Sequence, residues 1–371
     1  MQVHTHDVSL EGSSLRCELT SYHFGTPGSG KKVYIQSSLH ADEVPPMLVA
    51  QFLRRELAGL EERIRGEVIL VPAANPLGLA QVIQGTPFGR FDLTTGTNFN
   101  RAYKHVAQEL KESLPGLLGA DAGANVALIR AHARASVATW DPSTDADALK
   151  KQLLTMAIDA DIVLDLHCDN QAVIHMYTGT PLAERFMPLA SLLGSHAVLL
   201  ALEGGGEPFD EACSRLWWDL AAHFGDQNPI PTTACLSTTV ELRGEMDVRY
   251  DLAEQDARAL IGFLALEGVI DMPTPAVPAA LCRPTPLEGV QPISAPHNGV
   301  LVFLRELGET VKAGDTIVDL INPITGTTTP LKASVDGVLF ASTAHRHVLR
   351  GMAVCKIAGP TAYRAGNLLA D

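Results

Sequence analysis

A chain of 371 residues exceeds the ~100–200 residues of an ordinary domain and predicts two domains, or one large domain with an appendage, while 46% hydrophobic and 19% charged residues exclude a disordered chain. Its 42 acidic against 28 basic residues, a formal net charge of −14, disfavour a nucleic-acid partner. No apolar run reaches the ~18–20 residues needed to span a bilayer, so no membrane partner is expected. The opening MQVHTHDVSLEGSS has neither a basic nor an apolar signal region, which predicts a cytoplasmic protein. Cys17, Cys168, Cys213, Cys235, Cys282 and Cys355 are scattered without a CxxC pair and read as reduced thiols.

In chain order, residues 32–39 (KVYIQSSL) read as a strand, followed by a loop and a helix with apolar residues at helical spacing. Further short strands are predicted at 67–75, 160–168, 172–179, 196–204 and 233–242, several nearly continuous in apolar character, as in strands covered on both faces. Helices are predicted at about 182–193, 209–224 and 251–268, and the Ala-, Leu- and Glu-rich stretch 105–158 as an inserted helical segment. This alternation over roughly 270 residues argues for an α/β domain with a largely parallel or mixed sheet. After residue 270 a segment with seven prolines ends the helical signal and short β-like pieces begin, so the expected domains are 1–272 and a smaller β-rich 273–371. The tail resembles the barrel-sandwich fold of biotinyl and lipoyl carriers but lacks their Met-Lys-Met or Asp-Lys-Ala tip. Lys312 and Lys332 therefore read as surface lysines, and no covalent cofactor is expected.

His40 and Glu43, in LHADEVPP, lie just beyond the end of a buried strand, where open α/β sheets place their ligands. His167 ends a second buried strand, and a shared sheet edge would bring it to the first pair. Two histidines and one carboxylate form a catalytic zinc ligand set that leaves a fourth position for water. The competing reading of each histidine is a hydrogen-bonded structural residue. Asp165 shares the face of His167, either to orient its imidazole or to cap a neighbouring loop or helix. Asn98, Asn100 and Arg101, in a Gly/Thr-rich loop with Arg90, can bind a carboxylate, against the alternative of solvated arginines. Glu241 ends an apolar strand, a costly place for a charge without a partner or a task, and suits a general base. Arg243 reads either as its ion-pair partner or as a substrate contact.

The combination of HxxE on a first loop, NPxG in AANPLGLA, FNR downstream, DLH on a later strand and VEL near the end of the domain resembles the succinylglutamate desuccinylase/aspartoacylase family, relatives of the zinc carboxypeptidases. The resemblance runs in order over about residues 30–270 and implies a carboxypeptidase-like mixed sheet flanked by helices, with a C-terminal β domain capping the site against long peptides. It implies one Zn²⁺ per chain on His40, Glu43 and His167, with Glu241 as base and proton shuttle. Asn100 and Arg101 would bind the substrate's α-carboxylate, and Arg90 would polarise the scissile carbonyl. The implied activity is hydrolysis of a small N-acylated amino acid, a deacylase of the desuccinylase or aspartoacylase kind. Its rivals are a zinc carboxypeptidase acting on short peptides and a non-catalytic metal-fold binding protein. A symmetric homo-oligomer is the default expectation.

Other residues carry weaker readings. Trp217 and Trp218 sit about 100° apart on a helix, so at most one is expected to face the core. His4, His6, His345 and His347 read as surface residues that take up metal only adventitiously. Cys168 adjoins a ligand but has no nucleophile motif around it. GxGxxG and GxxxxGK[ST] loops are absent, which leaves nucleotide binding unsupported.

Overall fold

The computed structural model describes residues 1–12, 16–366 and 368–369. A nine-stranded sheet runs in spatial order Gln2–Asp7, Glu18–Gly25, Gly66–Val71, Lys31–Ser37, Ile162–Asp169, Leu236–Gly244, His175–Gly179, Ala197–Ala201 and Pro284–Pro286. The four central strands are parallel, the two N-terminal ones form an antiparallel hairpin at one edge, and His175–Gly179 runs antiparallel to Leu236–Gly244. All of Gly66–Val71 and the first seven residues of Ile162–Asp169 are buried, because helices cover both faces.

Alternation along each strand divides the core in two. Val33, Ile35, Leu164, Leu166 and Val240 face helices Pro45–Gly59, Ala183–Leu193 and Tyr250–Leu266. Tyr34, Ile69 and Val163 face helices Ala107–Ser113, Ala122–Ala138, Asp145–Ala157 and Phe209–Phe224. Three of these four arise from the 105–158 stretch, and two begin at side-chain caps: Asp121 accepts from the Ala124 amide and Thr144 from the Asp147 amide. Pro45 and Pro46 open the first long helix, where their missing donors are harmless, and Gly194 closes Ala183–Leu193 at φ 70°. Among the described residues, no helix is long and apolar enough to cross a membrane.

Toward the C-terminus, two antiparallel sheets enclose Leu301, Val311, Ile317, Val318, Leu320, Leu339, Val354 and Ile357. This unit is sewn to the strand ends of the large sheet. Gln171–Ala172 adds to strand Gly337–Ser342, Phe340 packs with Leu199 and Leu287, and Lys356 Nζ lies 2.8 Å from Asp169 Oδ2.

The N-terminal hairpin and Pro284–Pro286 join the large sheet without having been anticipated: the former alternates polar residues at a sheet edge, and the latter lies inside the proline-rich segment. Trp217 and Trp218 correct the expectation that at most one faces the core. Trp217 is fully buried in the cluster above the sheet. Trp218 reaches the opposite cluster, donates to the Leu202 carbonyl and lies where a Cβ on Gly179 would collide with it. Helix Phe209–Phe224 is therefore enclosed on two sides. Trp217→Ala should cost ~3–5 kcal/mol of stability, read as a lower urea midpoint with unchanged slope.

Candidate metal centre

The site is built where strand Lys31–Ser37 ends. Ser38 takes a left-handed backbone (φ 58°), donates its amide to the Leu166 carbonyl at 3.1 Å and its hydroxyl to the Glu43 carbonyl at 2.6 Å. Loop 38–43 is thereby clipped to the strand carrying His167. Asn75, of the NPLG segment, donates to the Leu39 carbonyl and caps the turn at Gly78. Gly89 supports the loop from outside: its carbonyl accepts from the Ala41 amide, and a Cβ there would stand 2.2 Å from the Asp42 nitrogen.

His40, Glu43 and His167 are all buried, and their ligand atoms lie within 4.8 Å of one another. Glu43 Oε1 is 2.8 Å from His40 Nδ1; Oε2 is 2.8 Å from His167 Nδ1 and accepts from the Cys168 amide at 3.1 Å. His40 Nε2 is 2.9 Å from Asn98 Oδ1, which also accepts from the Asn100 amide at 2.8 Å, so the oxygen assignment of Asn98 is fixed. His40 therefore carries its proton on Nε2 and turns the Nδ1 lone pair toward a carboxylate. Two acceptors at that distance require a proton or a cation between them. The donor set fits a divalent metal ion with imidazole and carboxylate preference.

Asp165 lies beside this group: Oδ1 accepts from Gln36 Nε2 at 2.9 Å, and Oδ2 stands 3.1 Å from His167 Nε2 without hydrogen-bond alignment. Gln36 in turn accepts from the Tyr34 hydroxyl. Burial opposes charge on His167, but the carboxylates of Asp165 and Glu43 hold its pKa well above the usual histidine range. Burial and the Arg90 guanidinium push His40 down. Burial works to raise Glu43, and the two imidazoles overturn it, holding the carboxyl well below its usual range.

Glu241 stands opposite His167 on the neighbouring parallel strand and opposite His175 on the antiparallel one, so all three share a face. Burial first, and then the charge of Glu43, push its carboxyl up to about 8, and its Oε2 has no hydrogen-bond partner. Arg90 reaches the same group, with Nη1 3.3 Å from His40 Nδ1 and 3.5 Å from Glu43 Oε1. Asn100 Oδ1 accepts from the Phe209 amide, and Arg101 is flanked by Gly206, at φ 78°, where a Cβ would meet its side chain at 2.6 Å. Backbone bonds from Ala102 and Tyr103 to Gly206 and Glu207 fasten this loop to the entry of helix Phe209–Phe224.

Arg243 pairs with Asp256 and not with Glu241. A bulge after Glu241 and a left-handed backbone at Arg243 (φ 68°) bring its guanidinium to Asp256, at 2.7 and 3.0 Å, on helix Tyr250–Leu266. Gln36, Asp169, Tyr177 and Lys356 surround the site without having been singled out. Period-two alternation from His167 marks Gln36 and Asp169 once the strand register is known, whereas Lys356 arrives from a separate sheet and leaves no local signal.

A sequence model described as the succinylglutamate desuccinylase/aspartoacylase catalytic domain matches residues 29–122. Comparison with curated proteins gives no match. Among solved structures, the chain is similar to a protein assigned to the succinylglutamate desuccinylase/aspartoacylase family from Shewanella amazonensis, at 28% identity and TM-score 0.81, over 96% of this chain and 98% of that one. A second such protein, from Shewanella frigidimarina, is 25% identical with TM-score 0.83, over 96% and 97%. The product-bound ectoine utilization protein of Ruegeria pomeroyi shares the fold at 15% identity and TM-score 0.63, over 96% and 95%.

Two outcomes follow from this geometry. Asn98→Ala frees the tautomer of His40 and should weaken metal affinity ~10–100-fold, measured by competition with a chromogenic chelator. An acid whose folded pKa is raised destabilises the fold progressively from about pH 4.5 and fully above about 8. Glu241→Gln should therefore raise the Tm of chelator-treated protein by about 2–5 °C at pH 8–9, with the gap closing toward pH 4.5.

Proposed function

From the membership of this chain in the succinylglutamate desuccinylase/aspartoacylase family, we propose that it is a zinc-dependent hydrolase that removes an acyl group from a small N-acylated amino acid. One observation carries the reading: Glu241, a half-buried carboxyl whose shielded Oε2 has no hydrogen-bond partner, stands in register with His167 beside the buried His40–Glu43–His167 group. In this reading residues 1–272 form the catalytic domain and 273–371 the C-terminal β-rich domain.

His40, Glu43 and His167 would hold one Zn²⁺, which when bound acidifies a water and polarises a carbonyl. Glu241 takes the proton of the attacking water, and its raised pKa matches an acceptor working near neutral pH. It returns that proton to the leaving nitrogen as the amide bond breaks, so an acid and a free amine result. Arg90, beside the metal ligands, stabilises negative charge developing on the carbonyl oxygen. Arg101 and the amide of Asn100 bind the α-carboxylate, with Phe209 and Gly206 setting their positions. The Tyr34–Gln36 chain holds Asp165, whose charge beside the His167 ring favours its cationic and metal-bound forms.

The docked C-terminal sheets favour small substrates over the peptides of a carboxypeptidase. Gln171, four residues past His167, is taken into the C-terminal sheet, and Lys356 ties Asp169 from the same side, so protein stands where a long peptide would pass.

Free-amine release from N-acetyl and N-succinyl amino acids should be lost on chelation and restored by Zn²⁺; silence across the panel with zinc bound rejects the deacylase. Glu241→Ala should lower kcat ~10²–10⁴-fold while zinc content stays at one per chain. Arg101→Ala should act mainly on KM for carboxylate-bearing substrates, with discrimination against the matching amides reduced by a factor of about ten or more.

A further inference from the structure

Far from this pocket, three histidines meet at the N-terminal edge of the large sheet. The register of the hairpin sets His4 opposite Ser21, and alternation brings His4, His6, Ser21 and His23 to one face. His6 Nε2 and His23 Nε2 approach the same atom, Ser21 Oγ, at 2.8 and 3.0 Å. Each ring is also held from its other nitrogen. His23 Nδ1 donates to Glu67 Oε1 at 3.0 Å, and His6 Nδ1 is 3.1 Å from the amide of Gln152 on helix Asp145–Ala157. The ring of His4 stands 4.5 Å from that of His23 and 6.5 Å from that of His6.

We propose that His4, His6 and His23 form a second metal site, for a divalent transition-metal ion of the zinc, nickel or copper kind, which pins the edge strand Gln2–Asp7 to its neighbour. Neutral imidazole is the ligand these ions favour. A carboxylate behind the outer nitrogen of a ligating histidine is the arrangement that orients such a ligand and raises its basicity, and Glu67 supplies it to His23. Because His23 gives its Nδ1 proton to Glu67, its Nε2 lone pair already points into the cluster. His6 offers the same lone pair once the amide of Gln152 turns its oxygen to Nδ1. Burial and the neighbouring His23 and His4 disfavour a proton charge on His6, which keeps that ring neutral. His4 is exposed and completes the set by rotating its side chain. Such an ion binds about 2.0–2.1 Å from each nitrogen and takes over the bridge that Ser21 provides.

Equilibrium dialysis of the full chain against Zn²⁺ tests the site. Wild type should bind one equivalent more than His6→Gln/His23→Gln, with equal hydrolysis of N-acyl amino acids and an unchanged circular dichroism spectrum. Should the double variant fail to fold, exposed His4→Ala and the Glu67→Gln variant serve in its place, each expected to weaken the additional equivalent by about tenfold or more. Equal stoichiometry in wild type and double variant, or unchanged affinity in the His4 and Glu67 variants, overturns the proposal.

Discussion

Everything around the centre follows from one constraint: the Glu43 carboxylate is buried between two imidazole nitrogens, each 2.8 Å away. With the proton of His40 committed to Asn98, the lone pair facing Glu43 demands positive charge. An isolated carboxylate removed from water is severely unfavourable, and this one is tolerated because its partners are fixed on both sides. Asn98, Asn75, Ser38 and Gly89 serve that arrangement, through hydrogen bonds to the loop or to the outer nitrogen of His40, or through the absence of a side chain, and Asp165 adds a negative charge 3.1 Å from the outer nitrogen of His167. The loop is accordingly a rigid bracket hung between two parallel strands.

The same constraint sets the character of Glu241. Standing beside His167 and within reach of the charge of Glu43, it is denied both water and a hydrogen-bond partner for Oε2, and its pKa rises. Burial that would penalise a structural acid here is what suits Glu241 to the proposed role of proton acceptor near neutrality. In the proposed reading, stability and function are therefore opposed at this residue. The C-terminal sheets contribute to that burial, since Lys356 and strand Gly337–Ser342 close over the strand ends at Asp169 and Gln171.

Much of the fold was legible because its signals are local. The strands at 31–37, 66–71, 162–169 and 236–244 are short apolar runs, and helices 183–193 and 209–224 carry a plain amphipathic period. The hairpin at 2–25 was not legible: its outer strand, QVHTHD, lies mostly in solvent and carries no apolar alternation. The ion pair of Arg243 was hidden for a related reason. Period-two counting puts it on the face of Glu241, but a bulge and a positive φ between them break the count and bring it to Asp256. Trp218 escaped because the helix packs against two clusters, so positions about 100° apart are both covered.

By itself, then, the amino-acid sequence determined which chemistry-bearing residues stand at strand ends: His40 and Glu43 three apart, His167 two beyond Asp165, and Glu241 at the close of an apolar run. Strand-end placement depends on local hydrophobic pattern and turn chemistry, which neighbouring residues encode. Tertiary structure alone decided that the strands of His167 and Glu241 lie side by side in register, that Asn98 fixes the tautomer of His40 from 58 residues away, and that Lys356 enters from another sheet. These relations depend on strand order and register, which arise from the packing of the whole core and are written in no single stretch of the chain.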